Sequence, residues 1–240
     1  MNRSPIEWCD FTNNPVSGCR RLCRDCTGKI YCYAYYMAQR QKGRNGYPLD
    51  EPFRPTLHFD KLIGPDRVKK PAKIFTVSMG DLFDSGVPDV WRYLVFNSMR
   101  YNPQHTFLVL TKQLKNLVRY FDSIHKRTIP DNLWLGISQD GLTTNDDDIE
   151  YFRSLEFIPR KFVSCEPLLG PICSNFYGID WVIIGAQTGA GAKPTKLEWV
   201  QDIQDEAASW DIPVFLKDNL KLPHPYFKIQ EWPEAMEVTL

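Results

Sequence analysis

Short apolar runs alternate with longer amphipathic segments along this chain, and that alternation restricts the fold more than any other feature. Candidate strands are Ile6–Phe11, Lys73–Ser78, Thr106–Thr111, Leu133–Ser138, Lys161–Cys165, Trp181–Ala186 and Pro213–Lys217. Several are β-branched or aromatic and apolar on both faces, the pattern of buried parallel strands. Helices are expected between them, over residues 30–42, 88–101, 112–123, 146–156 and 195–210. Pro88 suits the first position of the second of these. The alternation predicts a single α/β domain over residues 1–240. Its architecture is expected to be a partial or open (β/α) barrel of about six to seven parallel strands. A doubly wound open sheet is the alternative, because strand order is not readable from the pattern. Residues 40–72 stand apart. They carry Pro48, Pro52, Pro55, Pro65 and Pro71, and predict an extended surface excursion that could serve as a lid.

Polar or small residues recur where the strands end. Ser78-Met79-Gly80-Asp81, Thr111-Lys112, Ser138-Gln139-Asp140, Cys165-Glu166-Pro167, Gly185 to Gly189 and Lys217-Asp218-Asn219 each follow a candidate strand. In parallel α/β folds the carboxyl ends of the strands carry the functional face. Turn chemistry alone explains any one of them; the full series favours a functional mouth. His105 precedes a strand instead, and is expected to be structural.

The chain has 240 residues, 43% of them apolar, enough for a sizeable core. No run of about 18 apolar residues is present, and the first ten residues lack the layout of a secretory signal. A cytoplasmic protein without a membrane partner is therefore expected. The formal net charge is zero, but residues 1–73 hold 14 Lys and Arg against 7 Asp and Glu. A basic region suits an anionic partner such as a nucleotide or nucleic acid, or is simply a solvated surface.

That basic region also holds most of the cysteines. Of the seven, at positions 9, 19, 23, 26, 32, 165 and 173, four lie between residues 19 and 32. An odd number without an export signal argues against a disulfide framework, and clustering argues for metal. Cys19, Cys23 and Cys26 have C-x3-C-x2-C spacing, and Cys32 follows closely. Such a loop can present three soft thiolates to three irons of a [4Fe–4S] cluster and leave the fourth iron open. Four cysteines could instead close a structural zinc site, although the spacing favours the cluster. Arg20, Arg21, Arg24 and Lys29 would favour the thiolate forms. Cys9, Cys165 and Cys173 stand apart and read as ordinary thiols.

The spacing after a first strand resembles the radical S-adenosylmethionine superfamily. More closely, the chain resembles an uncharacterised phage-associated, three-cysteine family of bacteria and archaea. The match runs through Ile6-Glu7-Trp8-Cys9-Asp10, Asn14-Pro15-Val16-Ser17-Gly18-Cys19 and Cys32-Tyr33-Ala34. It continues through Phe75-Thr76-Val77-Ser78-Met79-Gly80-Asp81, Leu110-Thr111-Lys112, Trp134-Leu135-Gly136, Glu166-Pro167-Leu168 and Asp180-Trp181. The cysteine motif is also similar to that of spore photoproduct lyases, radical enzymes that repair DNA. Two departures stand out. Cys9 replaces a usual Thr, and the family's third cysteine precedes Tyr-Ala, which marks Cys32, whereas the superfamily spacing marks Cys26.

The resemblance implies an iron–sulfur enzyme that cleaves S-adenosylmethionine reductively, yields a 5′-deoxyadenosyl radical, and modifies or repairs nucleic acid or a nucleotide. It implies an electron donor such as ferredoxin or flavodoxin. Cys19 and Cys23 would be ligands, with Cys26 and Cys32 competing for the third place. By analogy Ser78, Met79, Gly80 and Asp81 would meet the cofactor's amino group, and Ser138 and Glu166 its ribose or carboxylate. No catalytic residue is assigned. The rival readings are a metal-stabilised nucleic-acid-binding protein and a barrel transferase with a structural zinc. Lys112 and Lys217 are candidates for phosphate binding. Tyr31, Tyr33, Tyr35 and Tyr36 are either base-stacking or helix-packing residues.

Overall fold

The first parallel strand starts later than the apolar pattern suggests. In the computed structural model, which describes residues 1–25, 27–124, 129–189, 191–222 and 229–236, the expected strand Ile6–Phe11 is mostly a turn. Cys9 N–H donates to the Ile6 carbonyl (3.2 Å) and Ile6 N–H to Ser4 Oγ (3.0 Å). The apolar residue that mimics a strand is Trp8, which is buried with its ring 4.7 Å from that of Phe75. The run is apolar because it packs over the sheet, not because it joins it.

The chain divides into two compact units, Met1–Trp134 and Leu135–Leu240. In the first, β1 (Asn2–Arg3) pairs antiparallel with β2 (Phe11–Asn13). A small ribbon of β3 (Val16–Ser17) follows, then helix α1 (Tyr33–Arg40) and β4 (Thr56–Leu57), which pairs with β3. Helix α2 (Phe59–Leu62) leads to β5 (Lys73–Thr76), α3 (Asp89–Arg100), β6 (Thr106–Thr111) and α4 (Leu114–Ser123). Strands β2, β5 and β6 are parallel neighbours, with Asn13 beside Thr76 and Thr76 beside Val109.

Strand β7 (Leu133–Ser138) begins as the first unit ends. The second unit then has α5 (Asp147–Arg153), β8 (Lys161–Cys165), β9 (Trp181–Ile184), α6 (Leu197–Ala208) and β10 (Val214–Leu216). Strand pairs β7–β8, β8–β9 and β9–β10 are all parallel. Every residue of β8 and β9 is buried, as expected of strands covered on both faces. Within each unit the spatial order follows the chain, β1-β2-β5-β6 and β7-β8-β9-β10, with no reversal. The architecture is α/β with mostly parallel strands.

The helices obey the period of their buried faces. Helix α3 buries Arg92, Val95, Phe96 and Met99; α4 buries Leu114, Leu117, Tyr120 and Phe121; α6 buries Val200, Ile203 and Ala207. Pro88 is the N-cap of α3 rather than its first residue, because its ψ of 148° is extended. Phe96 of α3 and Tyr120 and Phe121 of α4 form an aromatic knot with Phe83, no two of their ring centroids more than 6.4 Å apart. His105 is buried before β6, its Nε2 3.3 Å from the Pro65 carbonyl, consistent with a structural role.

Residues 40–72 do not form a simple extended excursion. Tyr47 and Phe53 are buried against Ala34 and Ala38 of α1, β4 pairs with β3, and His58 Nε2 lies 2.8 Å from Ser17 Oγ. The prolines suggested an extended path, but the two aromatic anchors fold it back beneath the cysteine loop. Among the described residues, no helix is long and apolar enough to cross a membrane.

Candidate functional site

The end of β5 is welded to the loop that carries the cysteines. Val77 N–H donates to the Asn13 carbonyl (2.8 Å), and Gly18 N–H to the Met79 carbonyl (2.8 Å). Asn14 Oδ1 accepts from Ser78 Oγ (3.1 Å) and from Met79 N–H (3.0 Å). Gly18 and Gly80 then approach so closely that a Cβ on Gly80 would overlap the Gly18 carbonyl oxygen. Gly80 is therefore a packing glycine, and its partner in the close approach is the protein's own backbone. Val77 adopts φ +64°, a left-handed conformation that is costly for a β-branched side chain. The strain is localised where the strand turns into this loop.

Asp81 is buried, and both its oxygens are used internally. Thr111 Oγ1 lies 2.8 and 2.9 Å from them, and the N–H groups of Phe83 and Lys112 donate at 2.9 and 3.0 Å. Burial pushes its carboxyl up, against those hydrogen bonds. Its role in this arrangement is to join the ends of β5 and β6.

Asp84 makes the direct link to the cysteines. Its Oδ2 accepts from Arg20 N–H (2.9 Å), Gln113 Nε2 (2.8 Å) and the Cys19 thiol (3.4 Å), and its Oδ1 from Gly86 N–H (2.8 Å). Burial would raise its carboxyl, yet these hydrogen bonds together hold it below the usual carboxylate range. Neither Asp84 nor Gln113 was singled out by the sequence. The available signal was the repeat of an aspartate three residues after Asp81, in a turn that already carried a motif.

The Cys19 thiol is pushed up strongly, first by burial and then by the carboxylates of Asp81 and Asp84. Arg21 N–H opposes this, donating to the sulfur at 3.3 Å. Cys19 and Cys32 pack against one apolar patch of Ala34, Ala38, Tyr47 and Phe53, together with Met79. Cys32 caps the start of α1. Burial raises its thiol, the N–H of Tyr35 lowers it, Cys23 raises it, and the N–H of Ala34 and the charge of Lys112 lower it. Cys23 is thus a near neighbour of Cys32. Tyr31 N–H donates to the Cys23 carbonyl (3.1 Å), and Arg24 bridges to Ile30, so residues 24–30 form a closed hairpin between them. Asp25 stabilises that hairpin by accepting from the N–H groups of Thr27 (2.9 Å) and Lys29 (3.0 Å). Cys26 lies outside the described residues. The loop is tied down again by Arg21, whose guanidinium donates to the Lys112 carbonyl (2.7 Å). Among the described residues, no group of three or more His, Cys, Asp and Glu side chains is arranged to hold a metal ion as it stands.

The second unit has its own charged centre at its strand ends. Lys217 after β10 forms an ion pair with Glu166 after β8, their side chains only 12% and 23% exposed. A Cβ on Gly185, after β9, would come within 2.9 Å of both Glu166 Cδ and Lys217 Cδ, so the glycine makes room for the pair. Ser138 ends β7 and pairs in register with Ser164. The next residue, Gln139, is buried with its Oε1 unpartnered. Asp140 is spent on its own turn, accepting from the N–H groups of Leu142, Thr143 and Thr144. Gly141 and Gly170 hold their loops in backbone contact.

A family model described as "Protein of unknown function (DUF5131)" matches residues 3–223. The chain belongs to this family. The match covers the cysteine loop, both strand-end centres and all ten strands apart from the start of β1. No curated protein and no solved structure matches the chain.

Proposed function

We propose that this chain is an iron–sulfur enzyme of the radical S-adenosylmethionine type that acts on nucleic acid or a nucleotide in the cytoplasm. The observation that carries the reading is the joining of the Cys19, Cys23 and Cys32 loop to the strand-end residues Asp84 and Gln113. The unreversed strand order within each unit supports a partial (β/α) barrel over a doubly wound sheet.

The donor set fits an iron–sulfur cluster in its chemistry. The sulfurs are soft, half-buried ligands, and N–H donors point at the Cys19 sulfur from Arg21 and, at 3.7 Å, from Gln113. Burial and the carboxylates of Asp81 and Asp84 oppose a lone Cys19 thiolate, so the positive charge of the iron would have to draw the proton off, as a metal does from a coordinating thiol. Cys19, Cys23 and Cys32 would hold the cluster. Cys32 is preferred because it packs with Cys19 against the same apolar patch and lies close to Cys23. When bound, the cluster would deliver one electron to S-adenosylmethionine and so break a sulfur–carbon bond.

The chain's own residues have positioning roles in this reading. Asn14, Ser78, Met79 and Gly80 lock the loop against β5. Asp81 locks β5 to β6. Asp84 holds the backbone N–H that follows Cys19, and Gln113 holds both that carboxylate and the Cys19 sulfur. The apolar patch of Tyr47 and Phe53 excludes water from beneath the sulfurs.

Anaerobic purification and reconstitution test the reading. About four irons and four sulfides per chain, a visible charge-transfer band and reductive cleavage of S-adenosylmethionine are expected. Cys19→Ala, Cys23→Ala and Cys32→Ala should each abolish the band, whereas Cys26→Ala should retain it. Colourless protein with stoichiometric zinc after iron reconstitution would instead favour a structural metal site.

A further inference from the structure

Helix α1 turns an aromatic stripe outward, against the usual sense of amphipathicity. Its buried residues are Ala34 and Ala38. Its exposed face, at spacings of three and four, reads Tyr33, Tyr36, Met37 and Arg40. Tyr33 is 51% exposed, Tyr36 46% and Met37 38%. A helix that needed only to pack would put these side chains inside and the alanines outside. Tyr33 donates its hydroxyl to the Ser78 carbonyl, and Tyr36 donates its own to the Ile30 carbonyl (3.0 Å). Tyr35 sets the Tyr36 ring from its edge, at 5.6 Å and 76°. The rings are therefore held by their rims, which is how a stacking surface is kept rigid.

The surroundings are strongly basic. Residues 18–47 contain 7 Lys and Arg and 1 Asp, in a chain of zero formal net charge. Arg20, Arg21, Arg24, Lys29, Arg40, Lys42 and Arg44 are all exposed. The single acid, Asp25, is turned into the hairpin to accept from Thr27 and Lys29. Basic residues interleaved with rigid exposed rings match the two needs of a single strand, phosphate neutralisation and a face for unstacked bases. A duplex hides its bases and would use only the charge.

We propose that the exposed face of α1 binds single-stranded nucleic acid, with Tyr36 stacking on a base and Arg40 and the neighbouring exposed arginines on its phosphates. This deepens the functional reading above by naming the substrate class, and rests on it for the identity of the bound strand as substrate. Binding itself depends on residues that carry no metal.

The test is fluorescence anisotropy of the full chain with a labelled single-stranded DNA oligonucleotide, the RNA of the same sequence, and the corresponding DNA duplex. Single strands should bind more tightly than the duplex, and the DNA and RNA arms separate the two sources of the strand. Tyr36→Ala should weaken binding about tenfold. Tyr36→Phe, which keeps the ring and loses only its rim hydrogen bond, should stay within about threefold of the parent. Arg40→Gln should lower the slope of log affinity against log salt by about 0.7. Thermal melts of each variant exclude loss of fold as the cause. Equal affinity for duplex and single strand, unchanged binding in Tyr36→Ala, or equal retention on vesicles of anionic lipid would overturn the proposal. Iron content and S-adenosylmethionine cleavage are read separately, so strand binding without a cluster, or a cluster without strand binding, tells the two readings apart.

Discussion

The Cys19 thiol donates to Asp84 Oδ2 at 3.4 Å, and the same carboxylate oxygen holds the backbone N–H of Arg20. One side chain thus fixes both the sulfur and the peptide that follows it. Asp84→Ala removes the acceptor for Arg20, Gly86 and Gln113 together. Each donor left without a partner costs about 1–3 kcal/mol where it stays buried. The variant should fold with a lower thermal midpoint and take up less than half the parent's iron and sulfide on anaerobic reconstitution. Asp84→Asn keeps an oxygen for Arg20 and should fall between the two. Parental iron content in Asp84→Ala would show that the loop is held without this residue.

Gly80→Ala should damage the site without touching a cysteine. The added Cβ overlaps backbone atoms of Gly18, which cannot swing aside as a side chain can. Overpacking of this kind costs about 1–3 kcal/mol. The loop bearing Cys19 must lift from the end of β5, so the urea midpoint and the iron content should drop together. Gly28→Ala is the control, since nothing lies within 4 Å of its added Cβ, although its φ of +83° adds local strain.

These contacts also show where sequence reasoning reaches its limit. Strands β6, β7 and β8 have the bounds that their apolar runs predict, and the five main helices fall inside their expected ranges, because both are set by local periodicity. The cysteine loop and the strand-end motifs were legible as residue types in a pattern. Their partners were not. Asp81 reads as a free carboxylate in a Met-Gly-Asp turn, and only the fold brings Thr111 and Lys112 to it. Gly80 reads as room for a ligand, and the fold fills that room with Gly18. Trp8 supplies the apolar signal of a strand from a buried turn. In each case the deciding contact joins residues distant in sequence, which no periodicity encodes.

The Glu166–Lys217 pair allows a double-mutant test of structural against functional use. Lys217→Met leaves Glu166 mostly buried without its partner. Breaking a fully buried pair costs about 3–5 kcal/mol, and the partial exposure here reduces that to about 2–3 kcal/mol. Glu166→Gln with Lys217→Met removes both charges and should recover most of the stability. If the pair only braces the strand ends, S-adenosylmethionine binding, measured by calorimetry on reconstituted protein, recovers as well. If Glu166 contacts the cofactor as the resemblance implies, stability returns while binding stays weak.

His58 gives the first unit a dependence on pH that the cysteines do not enter. Its ring is buried beside Ser17 and Tyr47, and Lys61 stands nearby. Burial, and then the charge of Lys61, bring its pKa down to about 4 from 6.5, against a smaller opposing effect of Asp60. The unfolded chain therefore binds a proton at a pH where the folded one does not. Stability should be level above about pH 7, fall as the pH drops through 6.5, and level again near 4, where both states are protonated. The full change is on the order of 3 kcal/mol. Urea midpoints between pH 7.5 and 5 should show the slope in the parent and a flatter line in His58→Gln. That replacement has an ordinary amide where the imidazole stood and nothing to protonate. A slope that survives in His58→Gln would assign the pH response to another group.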